Sequence, residues 1–236
     1  MKHLVMCSTK QRPHKMAEML KSFDKTKSEG TDMVIYVADN DTRIDEYKVV
    51  LSGRNVIYGP DRGCLVEVLN YLVLLYPDYE YYSEVNDDHV YITKGWDEKL
   101  MKAIEDKGGW GVACGNDLVT KDWYHMRHPS ATMISGKIIR ALGYFTWPKL
   151  KHFASDDYHR DLGEGINALI HLPEVIIEHR CWHAAGKAEN DEVYEAVYSD
   201  EAFNYGNDVY RDWKNGPGVN EINRLKEVMK EDGVGQ

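Results

Sequence analysis

The chain has 236 residues and a formal net charge of −10, from 39 acidic against 29 basic residues, with no basic block. Duplex nucleic-acid binding draws its affinity from clustered Lys and Arg, so no stable duplex binding is expected. The four cysteines, Cys7, Cys64, Cys114 and Cys181, form no CxxC pair, which argues against a zinc site and reads as reduced, buried thiols in a cytosolic setting.

No run approaches the roughly 20 apolar residues needed to cross a bilayer, and Leu4 to Cys7 is too brief for a signal sequence. The expectation is a cytoplasmic protein without a transmembrane segment, built as one domain of ordinary core size.

Leu4 to Cys7 reads as a first buried strand, with Ser8-Thr9-Lys10-Gln11-Arg12-Pro13 as the loop leaving it. Met16, Met19, Leu20 and Phe23 fall at i, i+3, i+4 and i+7, one face of a helix whose first turn suits Pro13. Met33 to Ala38 is a second strand, closed by Asp39-Asn40-Asp41. Strand, helix, strand with polar loops at the strand ends is the βαβ unit of a parallel sheet. Asn55 to Tyr58 is a short third strand, and Leu65, Val68, Leu69, Leu72 and Tyr76 predict a helix up to Pro77.

Tyr79 to Val85 is an aromatic-rich strand that runs into Asn86-Asp87-Asp88-His89. Trp96 to Ile104 predicts a helix and Trp110 to Cys114 a strand. Thr132 to Ile134 is a brief strand, and Ser135 suits the cap of a helix that ends at Gly143. Tyr158 and Leu162 share a helical face after Ser155-Asp156-Asp157. Glu174 to Glu178 is the last clear strand, running into His179-Arg180-Cys181-Trp182-His183. Polar helices follow, broken at Asn215 to Gly218. The fold class is α/β, with a mixed, mostly parallel central sheet and a helical C-terminal appendage.

An open α/β sheet binds its ligand beyond the carboxyl ends of its strands, which nominates Asp87 and Asp88. Adjacent carboxylates repel, and a divalent cation resolves that conflict. Oxygen ligands suit Mg²⁺ or Mn²⁺, which bind substrate phosphates beside one or two protein carboxylates. Read alone, Asn-Asp-Asp-His is equally a solvated turn with Asx capping.

In the order of these elements, residues 3 to 195 resemble a glycosyltransferase of the GT-A (Rossmann-like) fold, closest to the family 2-like enzymes. The marks are Thr9 to Pro13, similar to the family's Thr-x-x-Arg-Pro opening; Val37 to Asp41, like its strand-two ending; Gly59 to Gly63 followed by Asn70; Asn86-Asp87-Asp88 followed by Gly95-Trp96, like its DxD metal motif; Met133 to Phe145, like its Leu-Gly-x-Phe helix; Ser155-Asp156-Asp157, like its acidic pair; and Glu178-His179, like its C-terminal histidine. The motif here is Asn-Asp-Asp rather than Asp-x-Asp, which leaves the division of labour between the two acids open.

The resemblance implies residues 1–195 as the transferase domain and 196–236 as a helical extension packed on it. It implies a metal-dependent, inverting transfer of a hexosyl or pentosyl group from a nucleoside-diphosphate sugar to an acceptor hydroxyl. Asp88 and His179 would hold Mn²⁺ or Mg²⁺, with His183 the alternative to His179. Asp87 would face the ribose, sugar or metal, and Asp39 the nucleoside. Thr9, Arg12 and Arg62 belong to the donor site, the two arginines as forked partners for diphosphate oxygens. Asp157, ahead of Asp156, is the base for the acceptor hydroxyl; the plainer reading of both is N-capping.

Trp123, Tyr124, His125, Trp147 and His152 are candidates for stacking on sugar, with core packing as the alternative. Lys187 and Asp191 lie on a stretch that would close over the donor. The acceptor is open among a glycan, a lipid-linked saccharide, a protein and a modified nucleobase. Two rival readings are a nucleotidyltransferase, against which stands the lack of glycine between Ser8 and Pro13, and a noncatalytic nucleotide- or sugar-binding module of the same fold.

Overall fold

The computed structural model describes residues 1–119, 129–181, 195 and 199–234. Among them an eight-stranded sheet runs in the order β3-β2-β1-β4-β7-β6-β8-β5. The first half alternates strand and helix: β1 (His3–Thr9), α1 (Pro13–Thr26), β2 (Thr31–Ala38), α2 (Ile44–Val50), β3 (Val56–Gly59), α3 (Leu65–Leu75) and β4 (Tyr81–Val85). β1 lies between β2 and β4 and is parallel to both, and β3 extends the same parallel block. The second half comprises β5 (His89–Tyr91), α4 (Trp96–Glu105), β6 (Val112–Asn116), β7 (Met133–Ser135), α5 (Gly136–Leu142), α6 (Ser155–Gly165) and β8 (Leu169–His179). There β7 is antiparallel to β4 and β6, β6 is parallel to β8, and β5 is antiparallel to the end of β8.

Side chains of a strand alternate between faces, and here both faces are covered, so the central strands are buried and largely apolar. Leu4 and Met6 of β1 enter one core with Tyr82, Leu69, Ile138 and Leu162, on the side of α3, α5 and α6. Val5 and Cys7 enter the other with Met16, Phe23, Leu100 and Ile104, on the side of α1 and α4. Met16, Met19, Leu20 and Phe23 of α1 are all buried, each contributing roughly 1.5–3 kcal/mol of transfer free energy. Two C-terminal helices, α7 (Asp200–Asn215) and α8 (Pro217–Glu231), bring Trp213, Leu225 and Met229 into the first core. No helix among the described residues is long and apolar enough to cross a membrane.

Several elements differ from the sequence expectation, among them β5, which is too short to be read from its pattern. α2 was not anticipated, because among its residues only Tyr47 is buried and no apolar stripe marks it. β8 begins at Leu169 rather than Glu174, since His171 and Pro173 interrupt its apolar pattern. Asp156 and Asp157 sit in the first turn of α6, not at its cap: Ala154 holds the cap position in a left-handed conformation, φ 65°, with no side-chain capping bond. An alanine in that region costs roughly 1–2 kcal/mol, and the Ser155 hydroxyl donating to the His152 carbonyl at 2.9 Å helps hold the bend.

Candidate active site

The parallel pairing of β1 with β4 sets Cys7 opposite Val85, so the residues just beyond both strands meet. The Thr9 hydroxyl donates to Asp87 Oδ2 at 2.6 Å and lies 2.7 Å from the Tyr47 hydroxyl. Arg12 Nη1 stands 3.5 Å from Asp87 Oδ1, and both side chains are buried. Burial, then the neighbouring Asp88, push the Asp87 carboxyl up to about 6 against the pull of Arg12 and the Thr9 hydrogen bond. This is a concentration of negative charge that two local partners do not fully offset.

The turn Asn86 to Asp88 leads directly into β5, whose antiparallel register places His89 opposite His179 at the end of β8. Their rings stack at 4.3 Å. His179 Nε2 lies 3.3 Å from Asp88 Oδ1, and the Arg180 amide donates to the Asp88 carbonyl at 2.9 Å. Burial opposes charging His179, but Asp88, Asp117 and Asp156 together outweigh it and raise its pKa. His89 is held down to about 4, first by burial and then by His179.

One nitrogen or oxygen from each of Asp88, His89 and His179 falls within 4.8 Å of the others. Neighbouring ligands of an octahedral ion bound at ~2.1 Å stand about 3 Å apart, so Asp88 and His179 fit one Mn²⁺ or Mg²⁺. His89 fits less well: its Nδ1 accepts from the Asn86 amide at 3.1 Å, which commits that lone pair, and its part is to pack against His179. The carboxylate of the pair suits Mn²⁺ or Mg²⁺.

His89 and His179 line a cavity of about 350 Å³, together with Glu84, Asn86, His152, Asp156 and Asp157 among others. The two α6 acids differ in their surroundings. Asp157 accepts from Arg160 Nη1 at 2.5 Å, and Arg160 in turn joins Asp161 and, through it, Tyr210 and Lys214. Asp156 acts electrostatically on two of the three histidines that line the cavity: its charge opposes the desolvation that lowers half-buried His152, and it adds to the rise of His179.

Other anticipated residues are placed apart from this group. Asp39 is exposed at the end of β2, where its amide donates to the Gly59 carbonyl at 2.7 Å. The organising acid of that loop is Asp41, which is 3 % exposed and accepts from the amides of Gln11 and Arg43 at 2.8 Å each. Arg62 lies flat on Tyr71, 3.4 Å from the ring centroid, with Tyr36 beyond at 5.9 Å. Asn70 ties the loop after α5, bonding the amides of Phe145 and Thr146 and the Thr146 carbonyl. Trp147 packs in the core rather than at the cavity. Trp123, Tyr124, His125, His183, Lys187 and Asp191 lie outside the described residues.

Sequence reasoning missed Glu84, His89, His159 and Tyr47. For Glu84 a signal was present: it is an acid within β4, beside Tyr81, Tyr82, Ser83 and Val85, in a strand buried throughout.

No family model and no curated relative matches the sequence. Solved structures do match the fold. Mannosyltransferase PcManGT from Pyrobaculum calidifontis, in complex with GDP-Man and Mn²⁺, aligns over 97 % of this chain and 80 % of that one, with TM-score 0.64 and 11 % identity. S. aureus TarS 1–349 in complex with UDP-GlcNAc aligns over 91 % of this chain and 73 % of that one, with TM-score 0.55 and 14 % identity. With UDP bound, the same TarS fragment aligns over 75 % of this chain, which spans 59 % of it, at TM-score 0.55. The chain has the GT-A-like fold of these glycosyltransferases.

Proposed function

We propose that the protein is a metal-dependent, inverting glycosyltransferase that moves a sugar from a nucleoside-diphosphate sugar to an acceptor hydroxyl. The observation that carries this reading is the meeting of Asp88 and His179 at 3.3 Å, with His179 lining a cavity that also holds Asp156 and Asp157. Support comes from the fold neighbours, one of them solved with GDP-Man and Mn²⁺ and another with UDP-GlcNAc.

On this reading Asp88 and His179 hold the cation, and a divalent ion there would carry the charge of the departing diphosphate. Thr9 and Arg12 fix the Asp87 carboxylate beside it. Asp156 and Asp157 are the candidates to take the acceptor proton, and a base must reach that proton directly or through one water. We put Asp156, whose charge acts on His179 and His152, ahead of Asp157 as the base. Asp39, exposed at the end of β2, is retained as the nucleoside contact. Arg62, stacked on Tyr71, would have to leave that ring to reach a diphosphate.

The test is release of nucleoside diphosphate from a panel of UDP- and GDP-sugars with Mn²⁺, in the native protein and in Asp156→Asn and Asp157→Asn. Turnover with one donor, lost in at least one of the two variants, supports the transferase. Nucleotide binding with no turnover, unchanged in both variants, favours the noncatalytic module.

A further inference from the structure

The cavity that His179 lines carries an acid that the mechanism above does not use. Glu84, next to the last residue of β4, has its side chain nine-tenths buried and lines the cavity. Among the described residues its Oε2 has no hydrogen-bond partner. Its Oε1 faces His159 Nδ1 at 3.5 Å, too long for a full hydrogen bond, and His159 Nδ1 is likewise without one. His159 is fully buried and fixed from its other side, Nε2 lying 3.0 Å from the Thr146 hydroxyl, with the ring edge-on to Phe145 at 5.1 Å.

A buried carboxylate oxygen without a donor costs the full desolvation penalty of that atom. Packing alone gives no reason to keep it, since an apolar residue in a strand otherwise flanked by Tyr82 and Val85 would avoid the cost. The cavity walls supply the reason. Asn86, His179, Asp156 and Asp157 line the same cavity as Glu84. The hydroxyls of a sugar held in that cavity are the donors that an orphan carboxylate lacks.

Resting on the transferase reading, we propose that Glu84 is a specificity-determining residue that accepts hydrogen bonds from ring hydroxyls of the transferred sugar, with His159 as its positioning residue. A carboxylate only accepts when ionised, which sets the substrate class. The donor is a neutral sugar with a free hydroxyl at the position facing Glu84. A uronic acid is disfavoured by like charge, and a deoxy or acylated sugar at that position leaves the carboxylate unpaired.

The experiment compares native protein with the near-isosteric Glu84→Gln and with Glu84→Asp, which keeps the charge but withdraws it by one methylene. The substrates are the best donor found in a UDP- and GDP-sugar panel and its singly deoxygenated analogues, each assayed with Mn²⁺ for kcat/KM. The expected result is one ring position whose deoxygenation costs the native protein on the order of 10- to 100-fold and costs both variants little. A merely structural role would lower every donor by the same factor and keep the ratio between parent and deoxy sugar. Either that outcome or unchanged turnover in both variants overturns the proposal.

Thermal shift by the nucleoside diphosphate alone, which lacks the sugar, separates the two levels. If native protein shows no Mn²⁺-dependent shift, the transferase reading fails and this inference falls with it. If the shift is intact in native protein and variants while the sugar selectivity does not move, only the assignment of Glu84 fails.

Discussion

His179 Nε2 stands 3.3 Å from Asp88 Oδ1 because β5, which starts directly after Asp88, pairs antiparallel with the last residues of β8. Two residues far apart in sequence are thus brought together by a three-residue strand, and the backbone secures them a second time through the Arg180 amide on the Asp88 carbonyl. Anything that shifts the end of β8 shifts the site.

Gly115 tests that dependence. It lies at the irregularity where β6 leaves register with β8, and a Cβ there would come 2.3 Å from the Val175 carbonyl oxygen, a backbone atom that cannot rotate away. Gly115→Ala is expected to destabilise the fold by ~1–3 kcal/mol in urea unfolding and to weaken Mn²⁺-dependent nucleotide binding. Full stability with full binding would contradict this account of β8.

Thr9→Val removes a hydroxyl that donates to Asp87 and meets Tyr47 while keeping its shape. The carboxylate it leaves is buried beside Asp88, so the expected loss is ~1.5–3 kcal/mol, read from the urea midpoint at pH 7. A variant as stable as the native protein would show that Arg12 alone satisfies Asp87.

His3 supplies a pH signature away from the cavity. Its ring is fully buried between the hydroxyls of Thr31 and Ser83, and burial lowers its pKa to about 3 against the opposing charge of Asp97. Above about pH 6.5 the ring is neutral in folded and unfolded chains alike, and its contribution is complete. As pH falls from there toward about 3, the unfolded chain takes up a proton that the folded one refuses, so stability is lost. The expected cost is ~2 kcal/mol at pH 5 relative to pH 7. The stability difference between native protein and His3→Gln should therefore shrink on acidification, measured by chemical unfolding at pH 7 and pH 5. A constant difference would mean that His3 titrates normally in the fold.

The α6 acids separate by turnover. Asp156→Asn is expected to lower kcat by about 10²–10⁴-fold with donor binding retained. Asp157→Asn is expected to cost less in kcat and to lower thermal stability, since it frees one hydrogen bond of Arg160. The reverse order of effects on kcat would make Asp157 the base.

Much of this arrangement was legible in the chain. α1 and α3 announced themselves through apolar residues at helical spacing, and β1, β2 and β4 through apolar runs that only a sheet covered on both faces requires. The Asn-Asp-Asp turn and His179 stand out because polar clusters end those strands. What was not legible depends on tertiary placement. β5 is too short to carry a pattern, and α2 buries one side chain. Whether Arg62 meets a phosphate or a tyrosine face is decided by Tyr71, a helical turn or more downstream, and not by its neighbours in sequence. Asp39 and Asp41 look alike in the sequence, yet the loop turns Asp41 inward onto the Gln11 amide and leaves Asp39 exposed. Glu84 was passed over because alternation arguments attend to apolar residues, although an acid inside a buried strand is itself the anomaly.

The central claim is that Asp88 and His179 create a cation-dependent site for a nucleoside diphosphate. Its most direct test is a thermal-shift series with UDP, GDP, CDP, TDP and ADP, each with and without Mn²⁺, on native protein and on Asp88→Asn. A ligand that binds only the folded state raises its stability by mass action, about 2.7 kcal/mol at a hundredfold excess over Kd. The account predicts a stabilisation by one nucleotide that requires Mn²⁺ and is lost in Asp88→Asn. Stabilisation that ignores the metal or survives the substitution, or no stabilisation by any nucleotide, would contradict it.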